Sequence, residues 1–318
     1  MIVTVTLNAA FARTITVPNF QRGQRHRASA GLPLAGGKGI NVARALKALG
    51  VPVVATGLAG GQAGLRIVER LTGEAILNDF VRIAGESRTT TAVVDPTNSS
   101  YTEINEWGPT ASHEELELLL GKLRYLSQGA SLVVFAGSLP RDVADDFYAE
   151  AIRDLARLHI PSALDCEGEP LRYGLEAEPF LVSPNQAEAE ALVGQEFHDD
   201  EDFAIALDEI AGRGARNVLI TTEGGCYALL RKDRAVHRYR ADAPRVEPVS
   251  RVGAGDTVLG AFVGAWQAGR SHEESLREAV AAGAASVLEL GAGRFDPREA
   301  HRLQAGAIVT ELAEVATV

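Results

Sequence analysis

Cysteine is almost absent. The chain of 318 residues has two, Cys166 and Cys226, with no metal-site spacing between or around them. A disulfide framework and a zinc ribbon are therefore both excluded, and a reducing, cytoplasmic setting is the expectation. The seven histidines are scattered, with no H-E-x-x-H pair to hold a metal. Positive charge is in deficit. A net charge of −11 and a pI near 5.2 argue against nucleic acid as the main partner. An acidic chain that binds an anionic metabolite must gather its few cations locally, so the placement of Arg and Lys becomes informative. No apolar run reaches membrane-span length. The opening MIVTVTLNAA lacks the basic region of a signal peptide and reads as a first strand. Internal repeats, low-complexity tracts and Pro/Ser-rich linkers are missing too, so residues 1–318 read as a single domain. The hydrophobic fraction of 46% suffices for a large core.

β-branched and apolar runs at 2–7, 51–58, 132–136, 180–183 and 218–222 predict buried strands, and 162–165 a weaker one. Helical periodicity predicts helices at 39–49, 64–71, 113–126, 143–158, 186–193 and 202–213 between them. Such alternation means βαβ units and a mostly parallel sheet with helices on both faces. After a hairpin at 227–240 the chain turns mainly helical, over 255–268, 273–290 and 297–303. Two segments interrupt the alternation. Residues 13–34 carry Thr14-Ile15-Thr16-Val17 and then a basic cluster, Arg22, Arg25, His26 and Arg27. Residues 88–106 carry Arg88 and two strand-like runs joined by the turn Asp95-Pro96-Thr97-Asn98-Ser99. Together these excursions predict a small sheet covering a cleft.

Five stretches carry candidate chemistry, each with a plain structural reading beside it. Ser250-Arg251-Val252-Gly253-Ala254-Gly255-Asp256-Thr257 opens a buried helix whose first amides are unpaired, an anion site in waiting. An aspartate there would repel a phosphate unless its task is to accept a proton; otherwise Asp256 is a first-turn acid that suits the helix dipole. Ala35-Gly36-Gly37-Lys38-Gly39-Ile40-Asn41 is a glycine loop opening a helix, in which Lys38 and Asn41 can donate to ligand oxygens. It is neither a Walker A loop nor G-x-G-x-x-G, and a tight strand-to-helix turn is the alternative. Ser138, in Gly137-Ser138-Leu139-Pro140, follows a buried strand, where parallel sheets bind ligands and where turn serines also occur. Asn185 and Glu188 have the spacing of a helix cap, and Glu188 is also suited to a magnesium ion. Thr221-Thr222-Glu223-Gly224-Gly225 is a turn at a strand end that can border a nucleotide. Arg27 and Arg88 have the guanidinium chemistry that grips phosphate, or they are solvated surface charges.

The order of these stretches resembles the ribokinase-like (PfkB-type) carbohydrate kinases over nearly the whole chain. The residues that carry the likeness are 35–44, Gly137-Ser138-Leu139-Pro140, Pro184-Asn185 with Glu188, and Val252-Gly253-Ala254-Gly255-Asp256-Thr257. Thr6-Leu7-Asn8, Arg27, Lys38, Arg88-Thr89 and Thr102-Glu103-Ile104-Asn105-Glu106 point to the hexose-phosphate branch, the 1-phosphofructokinases and tagatose-6-phosphate kinases. The resemblance implies an α/β fold: a three-layer α/β/α core with a mostly parallel sheet and a β-lid built from about 10–34 and 88–107. It implies ATP and Mg2+, with a ketohexose phosphate as acceptor and fructose 1-phosphate first among the candidates, ahead of tagatose 6-phosphate and fructose 6-phosphate. By match to the family motif Asp256 is the catalytic base, and the amides of Gly253, Ala254 and Gly255 form the anion hole. Gly37, Lys38 and Asn41 face the sugar phosphate, Arg27 and Arg88 grip its phosphate, and Ser138 lies near it. Asn185 and Glu188 serve the metal and phosphate region, with Glu188 the candidate Mg2+ residue. Thr222 and Gly225, with Ala282 and Ser286, border the adenosine. The exposed edges of a lid sheet favour a homodimer.

Two departures from the family pattern matter. The family reads N-P-A-x-D after the first strand; this chain reads Asn8-Ala9-Ala10-Phe11-Ala12, with Ala12 where the substrate-binding aspartate belongs. A lost charged hydrogen bond costs about 1.5–3 kcal/mol, so a non-catalytic or weakly active sugar-phosphate binder is the rival from another class. The loop 221–227 also departs from the family's S-L-G-x-x-G-A.

Overall fold

The β-branched run at the start of the chain forms strand β1 (Ile2–Thr6), buried at every position. A strand covered on both faces belongs inside a sheet flanked by helices. The computed structural model, which describes residues 1–98 and 100–313, places it there. The strands that follow are β2 (Ala10–Thr16), β3 (Ala30–Gly36), β4 (Val53–Gly60), β5 (Leu77–Ile83), β6 (Arg88–Asp95), β7 (Ser100–Asn105), β8 (Leu132–Ala136), β9 (Ser162–Asp165), β10 (Leu181–Val182), β11 (Asn217–Thr222), β12 (Gly225–Lys232), β13 (Ala235–Asp242) and β14 (Ile308–Glu311). The helices are α1 (Lys38–Ala48), α2 (Gly61–Gly73), α3 (His113–Ser127), α4 (Phe147–Arg157), α5 (Gly168–Leu175), α6 (Gln186–Val193), α7 (Asp200–Gly212), α8 (Ala254–Gln267), α9 (His272–Ser286) and α10 (Pro297–Leu303).

Ten strands form one sheet in the order β14-β13-β12-β11-β10-β9-β8-β1-β4-β5. From β5 across to β11 every pair is parallel, and β12, β13 and β14 finish the far edge antiparallel. Alternation along the strands feeds two cores. Ile2 and Val134 point into the one closed by α1, α8 and α9, while Val3, Val5 and Val133 point into the one closed by α3, α4 and α7. The layers are thus α/β/α, the expected fold class. Three elements were not anticipated. Strand β5 is an edge strand with alternating exposure and no continuous apolar run. Helix α5 is only eight residues long, and β14 pairs with β13 beyond the expected helical end. Helix α9 stops at Ser286, short of the expected 290, because the chain enters a loop where Gly291 and Gly293 take positive φ. No helix among the described residues is long and apolar enough to cross a membrane.

The two interruptions form a second sheet of four strands, in the order β3-β2-β6-β7. Its base is set where Ala10 pairs with Gly36 and with Arg88, and its far end where Thr16 pairs with Ala30 and Val94. Asp95 holds that far end together. Its carboxylate accepts from the Asn19, Phe20 and Thr97 amides at 2.8–2.9 Å and from the Asn98 side chain at 2.7 Å. Burial favours the protonated acid, but these hydrogen bonds outweigh it and hold the Asp95 pKa at about 2. Ser99, the last residue of the expected turn, and residues 314–318 lie outside the described residues.

Candidate active site

A cavity of about 1530 Å³ lies beyond the carboxyl ends of the parallel strands, between the main sheet and the four-stranded lid. This is where an open parallel sheet binds ligands. Gly137, Asp165, Ser183 and Thr221 reach it from strand ends, and Ala12, Arg88, Thr90 and Glu103 from the lid.

Helix α8 begins at the cavity wall. Its cap, Gly253, has φ 75° and ψ 15°, a left-handed turn natural to glycine. A Cβ there would also sit 2.6 Å from the Cβ of Ala292. The Gly253 and Gly255 amides have no acceptor among the described residues, whereas the Ala254 amide makes a long bond of 3.3 Å to the Arg251 carbonyl. Asp256, in the first turn, is 7% exposed and accepts from the Asn41 side-chain amide at 2.7 Å. Burial, with Asp165 and Glu188 nearby, raises the Asp256 pKa; Lys38 and the Asn41 hydrogen bond oppose this, leaving it at about 7.

The glycine turn before α1 is dictated by β1. A Cβ at Gly37 would lie 2.5 Å from the Thr6 methyl, and one at Gly39 2.5 Å from the Thr6 hydroxyl. The turn delivers Lys38 into the cavity, where its ammonium bonds Asp165 at 2.7 Å and Glu188 at 3.1 Å. Burial disfavours the ammonium, but Asp165, Glu188 and Asp256 together outweigh it and raise the Lys38 pKa. The Asp165 pKa also stands above its ordinary value, because it is buried and Lys38 compensates only in part. Three carboxylates share one ammonium, so the cluster as a whole is hungry for positive charge. Asn185 and Glu188 do form the predicted capping box: Asn185 Oδ1 accepts from the Glu188 amide and Glu188 Oε2 from the Asn185 amide, both at 2.9 Å. Glu188 thereby caps α6 with one oxygen and holds Lys38 with the other.

At the lid end, the Arg88 Nε donates to the Asn8 carbonyl at 3.1 Å, and burial pulls its pKa down while Glu103 pulls it up. The Asn8 amide donates to the Ser138 hydroxyl at 3.1 Å, which fixes Ser138 at the mouth of β8. Ala12 lies on the lid's cavity face, so the missing aspartate leaves a wall of methyl groups there. The same face retains a carboxylate at Glu103, which accepts from the Tyr101 hydroxyl at 2.5 Å.

Gly37, Lys38, Asn41, Arg88, Ser138, Asn185, Glu188, Thr222, Gly225 and the Gly253, Ala254, Gly255, Asp256 turn all line this one cavity. Three predicted residues do not. Arg27 is exposed on the connection from β2 to β3 and does not line the cavity. The register explains it: that connection leaves β2 at Thr16, the end of the lid remote from Ala10 and Arg88. Ala282 and Ser286 are turned into the core, each no more than 2% exposed. The face of α9 that meets the cavity is Val280, Gly283, Ala284 and Val287, one helical stripe. The Ser286 hydroxyl is spent on the Gly283 carbonyl at 2.8 Å.

Sequence reasoning passed over Asp165 and Arg44. Asp165 ends a strand of the parallel sheet, the same positional signal that singled out Ser138. Arg44 lies inside the quoted glycine-loop motif, buried at 6% exposure, and nothing in its spacing marks it.

A buried carboxylate at a helix start, unpaired amides beside it and cations toward the lid define a phosphotransferase with a hydroxyl acceptor. The model of the pfkB family of carbohydrate kinases matches residues 6–299. The chain is 35% identical to the 1-phosphofructokinase of Borreliella burgdorferi over 290 residues, 91% of this chain and 92% of that one. It is 33% identical to the 1-phosphofructokinase of Bacillus subtilis, over 93% of this chain and 96% of that one. Among solved structures, Escherichia coli phosphofructokinase-2 in complex with substrates and products superposes with a TM-score of 0.88 at 28% identity, covering 96% of this chain and 98% of that one. The chain belongs to the pfkB family of carbohydrate kinases.

Proposed function

We propose that this chain transfers the terminal phosphoryl group of ATP to the free primary hydroxyl of fructose 1-phosphate, giving fructose 1,6-bisphosphate. The observation that carries this reading is the buried Asp256, bonded to Asn41 and set beside free helix-start amides in a cavity that Arg88 also lines. The likeness to relatives named 1-phosphofructokinase supports the choice of sugar. Asp256 accepts the proton of the attacking hydroxyl as its oxygen bonds to the phosphorus and the bond to the ADP oxygen breaks. The Gly253 and Gly255 amides meet the charge that gathers on the transferring group. Arg88 and Ser138 hold the phosphate already on the sugar. Thr222, Gly225 and the Val280, Gly283, Val287 stripe border the adenosine.

Magnesium fits this donor set. The oxygens of Asp165 and Glu188 converge on a single cation, Lys38, and Mg2+ is held by one or two carboxylates together with substrate phosphates. Asp165 and Glu188 would hold it, and when bound it neutralises charge on the phosphate oxygens.

An ADP-release assay against a panel of ketose and aldose phosphates tests the reading. Fructose 1-phosphate should give the highest kcat/KM, and tight binding without ADP release would replace the kinase by a sugar-phosphate binder. Arg88→Ala should raise the sugar-phosphate KM by about ten-fold or more with ATP binding intact, the loss of a charge-assisted contact; unchanged sugar-phosphate kinetics would remove the clamp. The outer strand β7 is exposed along its length, with Tyr101 42% and Ile104 60% exposed. A second copy's lid is the partner that fits it, and a sedimentation mass of a single chain at micromolar concentration would dismiss that pairing.

A further inference from the structure

Arg44 does not line the cavity, yet all five of its N–H groups are engaged. The Nε donates to Glu74 at 2.5 Å and one Nη2 hydrogen to the other Glu74 oxygen at 3.3 Å. Nη1 donates to Asn41 Oδ1 at 3.1 Å and to the Ala292 carbonyl at 2.8 Å, and Nη2 to the Ala35 carbonyl at 2.8 Å. The three inner targets belong to three walls of the site. Ala35 precedes the glycine turn that carries Lys38. Ala292 is the residue on which Gly253 packs. Asn41 holds Asp256.

The chemistry of the groups settles how the Asn41 amide must face. A guanidinium has donors only, so it demands the amide oxygen. The amide NH2 is then left for the Asp256 carboxylate, which accepts only. The reverse orientation would set NH2 against guanidinium and oxygen against carboxylate, two repulsions in a buried place. The geometry points to Arg44, anchored by Glu74, as a positioning residue that orients Asn41 toward Asp256 and braces the Gly253 turn, aligning base and anion hole through one buried guanidinium. This rests on the reading of Asp256 as the base. Lysine cannot do the same work: it presents one ammonium point and lacks the planar fork.

Arg44→Lys is the test, run with the Asn41→Ala variant as a double-mutant cycle. In the wild-type background the substitution should lower kcat about 10–100-fold, the scale of a small misplacement of reacting groups, with the ATP KM unchanged. The acid limb of the kcat–pH profile should move to higher pH, because Asn41 no longer favours the ionised base. Beside Asn41→Ala the same substitution should cost several-fold less than in the wild type, the remainder being what it costs the Gly253 turn. A loss of equal size in both backgrounds, or no loss in either, overturns the proposal. Should Arg44→Lys fail to fold, Glu74→Ala, which frees the guanidinium at a partly exposed anchor, is put through the same cycle and judged by the same criterion. Asp256→Asn separates the two layers of argument. Wild-type turnover in that variant removes the base itself, whereas a silent Arg44→Lys beside an inactive Asp256→Asn removes only the positioning role.

Discussion

Replacing Asp256 by asparagine should cut turnover by about 10²–10⁴-fold, the usual contribution of a general base, while ATP and sugar-phosphate binding stay near wild type. The substitution keeps the shape and the bond to Asn41 but removes the proton acceptor. It should also make the folded chain more stable above pH 7. The carboxylate has an ordinary pKa of 3.8 that folding raises to about 7, chiefly by burial. The native state therefore holds this proton more tightly than the unfolded chain does, and stability falls as pH climbs from about 4 to about 7. Above 7 the whole penalty is present, on the order of 2 kcal/mol after allowance for relaxation around the site. Asparagine escapes it. Thermal unfolding of the two proteins should nearly coincide around pH 4 and separate by pH 8, with the variant melting higher. Equal melting at pH 8 would mean that Asp256 is not strained by its surroundings, and a wild-type kcat would mean that it is not the base. The same pKa places the acid limb of the wild-type kcat/KM–pH profile near 7, and that limb should vanish in the variant.

What could be read in the chain beforehand follows from where periodic signals are strong. β1, β8 and α8 sit in the middle of the layers, so their apolar patterns are dense and their limits were set to within a residue or two. β5 and β14 lie at the sheet's edges, half exposed, where composition resembles a loop. The site divides in the same way. Residues delivered by a local turn, such as Lys38, Asn185 with Glu188, and Gly253 to Asp256, carry their chemistry in a short motif that spacing reveals. Residues whose role depends on which face of an element meets the cavity do not. Ala282 and Ser286 lie on the stretch of chain at α9 that meets the cavity, yet a rotation of about 100° per residue turns them into the core and puts Gly283 and Val287 in their place. Arg27 lies off the cavity for a similar reason: a basic cluster is visible in sequence, but the register that carries it to the lid's far end is not.

Lys38→Met should have the second large effect, and it acts on the base through charge. Among the described residues Lys38 is the cation set among Asp165, Glu188 and Asp256, and its charge holds the Asp256 pKa down against burial. An opposite charge at this range lowers a carboxylate pKa by about one to three units. Without it Asp256 is mostly protonated at neutral pH, and the acid limb of kcat/KM should move to higher pH by about that amount. At pH 7 the fall in kcat/KM should be about 5–500-fold, with partial recovery toward pH 9. Stability moves in the same sense. Removing one partner of a buried pair costs about 3–5 kcal/mol, reduced here to about 1–3 kcal/mol because the Lys38 side chain is 35% exposed while that of Asp165 is 6%. The freed Asp165 carboxylate is buried and binds its proton more tightly in the folded state than unfolded, so the loss should be greatest at high pH and shrink as the pH falls. Lys38→Arg keeps the charge and is the control: its limb should stay within about half a unit of wild type whatever happens to KM. If Lys38→Met kept the wild-type limb, the ammonium would be a structural tie between β9 and α6 and no part of the base's electrostatics. A limb that moves with Met and stays with Arg assigns the effect to charge, which is the property that the three surrounding carboxylates demand.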